Sequence, residues 1–312
     1  MCRTDRSKTS GFCGANDKIK AAKAGLHLWE EPALSGRNGS GAVFFSGCSL
    51  KCCFCQNSQI SHANFGKEIT VQRLGDIFLE LQEQGADNIN LVSPTHFVPY
   101  IIKALDQVRH KLIIPIVYNS SGYERVETLR LLKGYIDIYL PDLKYFSSEL
   151  SGKYSHAANY FEFASKAILE MHNQQPNLVW NGLLLKKGLI IRHLILPGCR
   201  HDSIKIINWI AENLPSDSFM ISLMSQYTPD YNNNIYPEIN RKITNFEYNS
   251  VLNRIIEFGL NGYSQDKTSA SAEYTPDFNL EKKNIVLMQK FYLVNSRLNQ
   301  ILLSPDFNLE GI

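Results

Sequence analysis

Ala42-Val43-Phe44-Phe45-Ser46-Gly47-Cys48-Ser49-Leu50-Lys51-Cys52-Cys53-Phe54-Cys55 decides how the rest of this chain reads. The stretch 42–46 is short, apolar and rich in residues that suit a buried strand, and Gly47 ends it at a turn. Four of the chain's seven cysteines follow within eight positions, too crowded for a disulfide framework. The spacing C-x3-C-x2-C therefore sits on a loop at the C-terminal end of a strand, which is where barrel enzymes build their sites.

Outward from that loop, between Gly41 and Gln226, the chain repeats a short apolar run, a turn and a helical pattern. The runs 42–46, 89–93, 114–119, 136–140, 189–196 and 219–224 are near-continuous in Ile, Leu, Val and Tyr, as strands buried on both faces require. Helical spacing is clearest over 71–84, where Leu74, Ile77, Phe78 and Leu81 recur behind Thr70 as N-cap. Similar faces occupy 98–108, 160–171, 203–213 and 245–258. The segment 173–188, with Pro176 and Gly182, reads as a loop or hairpin-like insertion. Six strands alternating with helices predict an α/β fold, a partial (β/α)6 barrel.

The sequence has 312 residues, 44% hydrophobic and 20% charged, enough for one catalytic domain with a substantial core. The expected organisation is a lead-in over 1–40, a barrel over 41–265 and an extension over 266–312, where the hexapeptide Pro-Asp-Phe-Asn-Leu-Glu occurs twice, at 276–281 and 305–310. Two copies are too few for a repeat architecture. With 32 basic and 30 acidic residues dispersed along the chain, no basic block points to nucleic acid. No signal-peptide pattern and no run of about 20 apolar residues appears, so the expectation is a cytoplasmic protein without a membrane span. Gly36, Gly39 and Gly41 lie before the strand and do not form a dinucleotide fingerprint.

Three thiolates suit a [4Fe–4S] cube whose fourth iron stays open, since an electron-transfer ferredoxin supplies four. An open position marks a catalytic metal, and the amino and carboxylate groups of S-adenosylmethionine are suited to chelate it. The same spacing also permits a zinc knuckle with Cys2, Cys13 or Cys53 as fourth ligand. Cys53 offers a second register, C-x4-C, or serves as a small buried residue.

Phe44 to Cys48 and Cys55-Gln56-Asn57 resemble the radical S-adenosylmethionine superfamily, and more narrowly the branch similar to pyruvate formate-lyase activating enzyme. The resemblance spans roughly 12–281 and includes Trp29-Glu30-Glu31-Pro32, 90–96, 118–123 and 225–229. It implies one [4Fe–4S] cluster on Cys48, Cys52 and Cys55, with Phe54 beside it, and S-adenosylmethionine across the strand ends. Ser93-Pro94-Thr95-His96 departs from the Gly-Gly-Glu of many members, leaving Thr95 or backbone carbonyls for the methionine amino group. Asn119 and Ser121 suit ribose or carboxylate hydrogen bonds, or simply a turn. Asp142 and Lys144 are implied site-lining groups, with a solvated ion pair as the alternative. Arg192 and His193 form a charged pair inside an apolar strand, costly without partners; Arg192 is implied to face the cofactor, and His193 alternates to the other side. Glu30 and Glu31 are expected to fold over one end of the barrel or to cap its surface.

The resemblance further implies reductive cleavage of S-adenosylmethionine to methionine and a 5′-deoxyadenosyl radical that abstracts hydrogen. The implied partners are a one-electron donor such as flavodoxin or ferredoxin and a glycyl-radical protein; a small-molecule substrate or a non-catalytic zinc or iron–sulfur module are the alternatives. Full-length members often carry more cysteines ahead of Cys2 and Cys13, so the chain is expected to begin late or to be shortened there.

Overall fold

A computed structural model describes residues 4–229, 235–265 and 291–294. Its strands are β1 (Ile19–His27), β2 (Ser40–Phe45), β3 (Lys67–Ile69), β4 (Ile89–Val92), β5 (Ile116–Ser120), β6 (Ile138–Pro141), β7 (Val179–Asn181), β8 (Leu184–Leu194), β9 (Met220–Met224), β10 (Gly262–Gln265) and β11 (Phe291–Val294). Its α-helices are α1 (Ser58–Ser61), α2 (Val71–Glu83), α3 (Val98–Val108), α4 (Val126–Leu131), α5 (Ser148–Ser155), α6 (Tyr160–Gln174), α7 (Arg200–Asn213) and α8 (Asn245–Glu257).

Strands β2, β4, β5, β6, β8, β9 and β10 lie side by side and parallel. The first six are those read from the apolar runs; β10, Gly-Tyr-Ser-Gln, adds a seventh. Antiparallel strands flank them, β1 on β2 and β11 on β10, and the sheet stays open because its two edges do not pair among the described residues. The segment 173–188 includes a short antiparallel hairpin, β7 on β8. Strand β5 begins at Ile116 rather than 114, since Pro115 has no N–H for the ladder.

Helices cover the outer face. Leu74, Phe78 and Leu81 of α2 are buried in the main core with outward residues such as Leu91, Tyr118, Tyr139 and Ile191. Thr70 caps α2 by accepting from the Arg73 N–H. The other face of the same strands carries the alternate residues. There Val117, Ile138, Leu140, Ile190 and Met220 pack around Ala33 and Leu34, which arrive from the β1–β2 connection.

The repeated hexapeptides and Cys2 fall outside the described residues. No described helix is long and apolar enough to cross a membrane.

Candidate functional site

Strand alternation positions the site. Asn119 lies two residues beyond Val117 on β5, Asp142 two beyond Leu140 just after β6, and Arg192 two beyond Ile190 on β8, so the apolar inner layer is succeeded by a polar one at the strand C-terminal ends. Asp142 and Arg192 occupy facing positions in a parallel bridge. A cavity here is lined by Cys48, Cys52, Phe54, Cys55, Asn119, Ser121, Asp142, Lys144 and Arg192, together with Ser93, Gln226 and Thr228. Another depression, at Asn177, Trp180, Asp217 and Met220, lies toward the N-terminal end of β9 and contains no cysteine.

The cysteine loop is fixed by backbone hydrogen bonds: Gly47 N–H to the Ile60 carbonyl at 2.8 Å, Cys48 N–H to that of Cys13 at 3.1 Å, and Cys53 N–H to that of Tyr154 at 2.9 Å. Gly47 has φ +89°, and a Cβ there would stand 2.4 Å from the Cys13 carbonyl oxygen. Ser155 donates to Cys52 Sγ at 3.0 Å, and Ser61 Oγ lies 3.1 Å from Cys55 Sγ. Burial, with the neighbouring Cys52 and Cys55, pushes the Cys48 thiol up to about 12; burial carries Cys52 to about 11 against the pull of Lys144. Cys53 is half-buried and is not among the residues lining the cavity.

The polar floor is one charge network. Lys144 Nζ lies 2.6 Å from Asp142 Oδ2, and Arg192 Nε lies 2.9 Å from Asp142 Oδ1. Arg192 Nη2 donates to Asn119 Oδ1 at 2.6 Å, and Arg192 Nη1 is 3.7 Å from Glu30 Oε2. Burial works against the Asp142 charge, but Arg192 and Lys144 hold its carboxyl below the usual range. Burial likewise opposes the Lys144 charge, yet Asp142 and Cys52 raise its value. The Lys144, Arg192 and Asp142 side chains are only 16%, 16% and 13% exposed, so the pair is not a solvated surface bridge.

His193 does lie on the opposite side, buried, with Nδ1 2.6 Å from the Leu143 carbonyl oxygen, and burial lowers it to about 4. Thr95 is not among the cavity-lining residues; its hydroxyl donates to Glu124 Oε1 at 2.6 Å. Ser93, which lines the cavity, takes φ +57°, a left-handed backbone unusual for serine. Glu30 and Glu31 do not cap the surface: both are buried, 9% and 3% exposed.

The residues fit an iron–sulfur cluster and S-adenosylmethionine by their donor chemistry. Among the described residues no three His, Cys, Asp or Glu groups converge on a single ion. A [4Fe–4S] cube is held by Cys thiolates, one to each ligated iron, and Cys48, Cys52 and Cys55 all line the cavity. Beside the thiols, the Thr228 hydroxyl is buried in the cavity lining with no hydrogen-bond partner among the described residues, a donor available to a ligand. The Phe54 ring packs 5.8 Å from that of Tyr227.

An open parallel sheet that gathers three thiols and a largely enclosed arginine–carboxylate–lysine network at its strand ends defines an iron–sulfur enzyme class within the incomplete α/β barrels. The chain belongs to the radical SAM superfamily, whose sequence pattern matches residues 42–195. It is 33% identical over 272 residues to the uncharacterized protein MJ0674 of Methanocaldococcus jannaschii, covering 83% of this chain and 73% of that one. Among solved structures, it is similar to SuiB of Streptococcus suis bound to S-adenosylmethionine (14% identity, TM-score 0.46, 70% of this chain and 48% of that chain). It is also similar to a domain of pyruvate-formate lyase-activating enzyme from Bacteroides vulgatus (15% identity, TM-score 0.44, 57% of this chain and 99% of that one). The chain thus spans less than half the length of SuiB. The superfamily uses a [4Fe–4S] cluster and S-adenosylmethionine for radical chemistry.

Proposed function

We propose that Cys48, Cys52 and Cys55 hold the cluster of this radical S-adenosylmethionine enzyme, and that Asn119, Ser121, Asp142, Lys144 and Arg192, with Phe54, bind S-adenosylmethionine. One observation carries the reading: these residues, contributed by four separate segments, line a single cavity at the C-terminal strand ends. Loaded there, the cluster and S-adenosylmethionine supply an electron and a 5′-deoxyadenosyl radical that abstracts hydrogen, with methionine released.

The chain's own groups then have separable tasks. The Lys144 ammonium favours the thiolate form of Cys52. Arg192, fixed by Asp142 and Asn119, presents a preorganised guanidinium fork to a carboxylate or ribose oxygen. Leu50, Val92, Leu194 and Met224 in the lining limit water near the reacting carbon.

The finer reading is that the hydrogen donor is a glycyl loop of a protein partner, with flavodoxin or ferredoxin as electron source. The sequence resemblance to the activating-enzyme branch supports it. Anaerobic reconstitution, reduction and addition of S-adenosylmethionine are expected to yield 5′-deoxyadenosine, and stoichiometric zinc with no reconstitutable cluster overturns the reading. Glycyl-radical proteins from the same cell are then added, and a persistent protein radical by electron paramagnetic resonance is expected. Modification of a small metabolite with no such signal removes the finer reading alone.

A further inference from the structure

The connection between β1 and β2 folds back beneath the site. Ala33 and Leu34 are fully buried among Val117, Ile138, Leu140, Ile190 and Met220. Two backbone carbonyls fasten the segment: Leu185 N–H donates to Ala33 at 2.9 Å and Asn88 Nδ2 to Leu34 at 2.8 Å, both near the N-terminal ends of their strands. Ser35 tightens the turn by accepting from the Glu30 N–H at 3.2 Å. The segment is thus a plug in the concave face of the sheet.

From this plug Glu30 reaches the polar layer. Its Oε1 accepts from Asn119 Nδ2 at 3.4 Å, and its Oε2 stands 3.7 Å from Arg192 Nη1. Asn119 and Arg192 also bind each other, so the three side chains close a triangle. Asp142 holds Arg192 from a second side. Glu30 is absent from the residues lining the cavity, so it touches the groups that line the site and not the site itself.

We propose that Glu30 is a positioning residue for S-adenosylmethionine, acting from the plug through Arg192 and Asn119. This rests on the reading above that Arg192 and Asn119 meet the cofactor. An arginine held only by Asp142 retains freedom to rotate about that contact; the second carboxylate and the shared asparagine leave one orientation of the fork, and a ligand then binds without ordering it.

The test uses the full chain, reconstituted anaerobically, with Glu30→Ala, Glu30→Gln, Arg192→Ala, Asn119→Ala and the Glu30→Ala/Arg192→Ala double variant. Iron per chain and melting temperature are measured first, then the S-adenosylmethionine dissociation constant, and the change in the reduced-cluster electron paramagnetic resonance signal when S-adenosylmethionine is added. Glu30→Ala is expected to keep wild-type iron and weaken binding roughly tenfold, the scale of one charge-assisted hydrogen bond. In the Arg192→Ala background the same change is expected to weaken binding less than about twofold, because coupled residues are not additive. Glu30→Gln, nearly isosteric, is expected to fall between and supplies the measurement if Glu30→Ala does not fold. Full additivity, or unchanged affinity in both Glu30 variants while Arg192→Ala and Asn119→Ala weaken binding, overturns the proposal. If Arg192→Ala and Asn119→Ala themselves leave binding unchanged, the cofactor assignment fails, and the proposal with it.

Discussion

Ser155 donates its hydroxyl hydrogen to Cys52 Sγ at 3.0 Å, and its oxygen lies 2.7 Å from the Tyr145 hydroxyl. Both partners are buried, so this is a dry hydrogen bond to a proposed cluster sulfur. Hydrogen bonds to cluster sulfurs stabilise the more negative, reduced state. Ser155→Ala is expected to keep the iron content and shift the reduction potential downward by about 60 mV, equivalent to ~1.4 kcal/mol for one electron. A redox titration followed by electron paramagnetic resonance checks the shift; an unchanged potential removes Ser155 from the cluster's surroundings.

Ligand register is open to direct count. About four irons and four sulfides per chain are expected in the reconstituted protein, and Cys48→Ala, Cys52→Ala and Cys55→Ala should each lose them. Cys53→Ala should keep them, since Cys53 does not line the cavity. Loss in Cys53→Ala with retention in Cys52→Ala would establish the other register.

The barrel strands were legible because parallel strands buried on both faces need continuous apolar runs, and β2, β4, β5, β6, β8 and β9 have them. Strand β10 was not: Gly-Tyr-Ser-Gln carries no apolar run, and Gly262 is set by closeness to β9, where a Cβ would meet the Ile221 carbonyl oxygen at 1.9 Å. Arg192 stood out as a charge inside an apolar strand. Its partner Glu30 did not, since its burial depends on a plug whose contacts lie far along the chain, from Asn88 to Leu185. Thr95 shows the reverse limit. A hydroxyl at a strand end fits a ligand contact on paper, but Glu124, 29 residues on, takes it. Ser155 is 103 residues from Cys52, and nothing in its local sequence signals a sulfur partner.

Two glycines separate contact from strain at the same backbone angle. Gly47 and Gly85 both have φ +89°, but a Cβ at Gly85 meets nothing within 4 Å, while at Gly47 it collides with the Cys13 carbonyl oxygen. Gly85→Ala is expected to cost about 1–2 kcal/mol, the left-handed penalty alone, and leave iron content unchanged. Gly47→Ala is expected to cost more and lower iron per chain, because the loop must move away from Cys13. Melting temperature and iron assay on both variants check this; equal behaviour rules out the contact as the cause.

Glu124 makes stability depend on pH in a direction opposite to that of the histidines. It is 1% exposed, accepts from Thr95 Oγ1 at 2.6 Å and from the Tyr118 hydroxyl at 3.3 Å, and burial raises it from 4.5 to about 7. A folded value above the unfolded one means that the native state binds more protons. The contribution is fully present below about pH 4.5 and disappears as pH rises through about 7. His27, His96 and His193 are instead lowered by burial from 6.5 to about 4, so their contribution is present above pH 6.5 and is lost as pH falls toward 4. Glu124→Gln substitutes a permanently neutral group of nearly the same shape, which removes the first dependence and leaves the second. The variant is therefore expected to gain on the wild type as pH rises from 5 to 8, by up to about 3 kcal/mol from the width of that shift. Denaturant midpoints of both proteins at each pH measure the difference. A constant difference across that range would mean that Glu124 is ionised in the folded protein throughout, and that Thr95 and Tyr118 donate to a carboxylate rather than to a protonated acid.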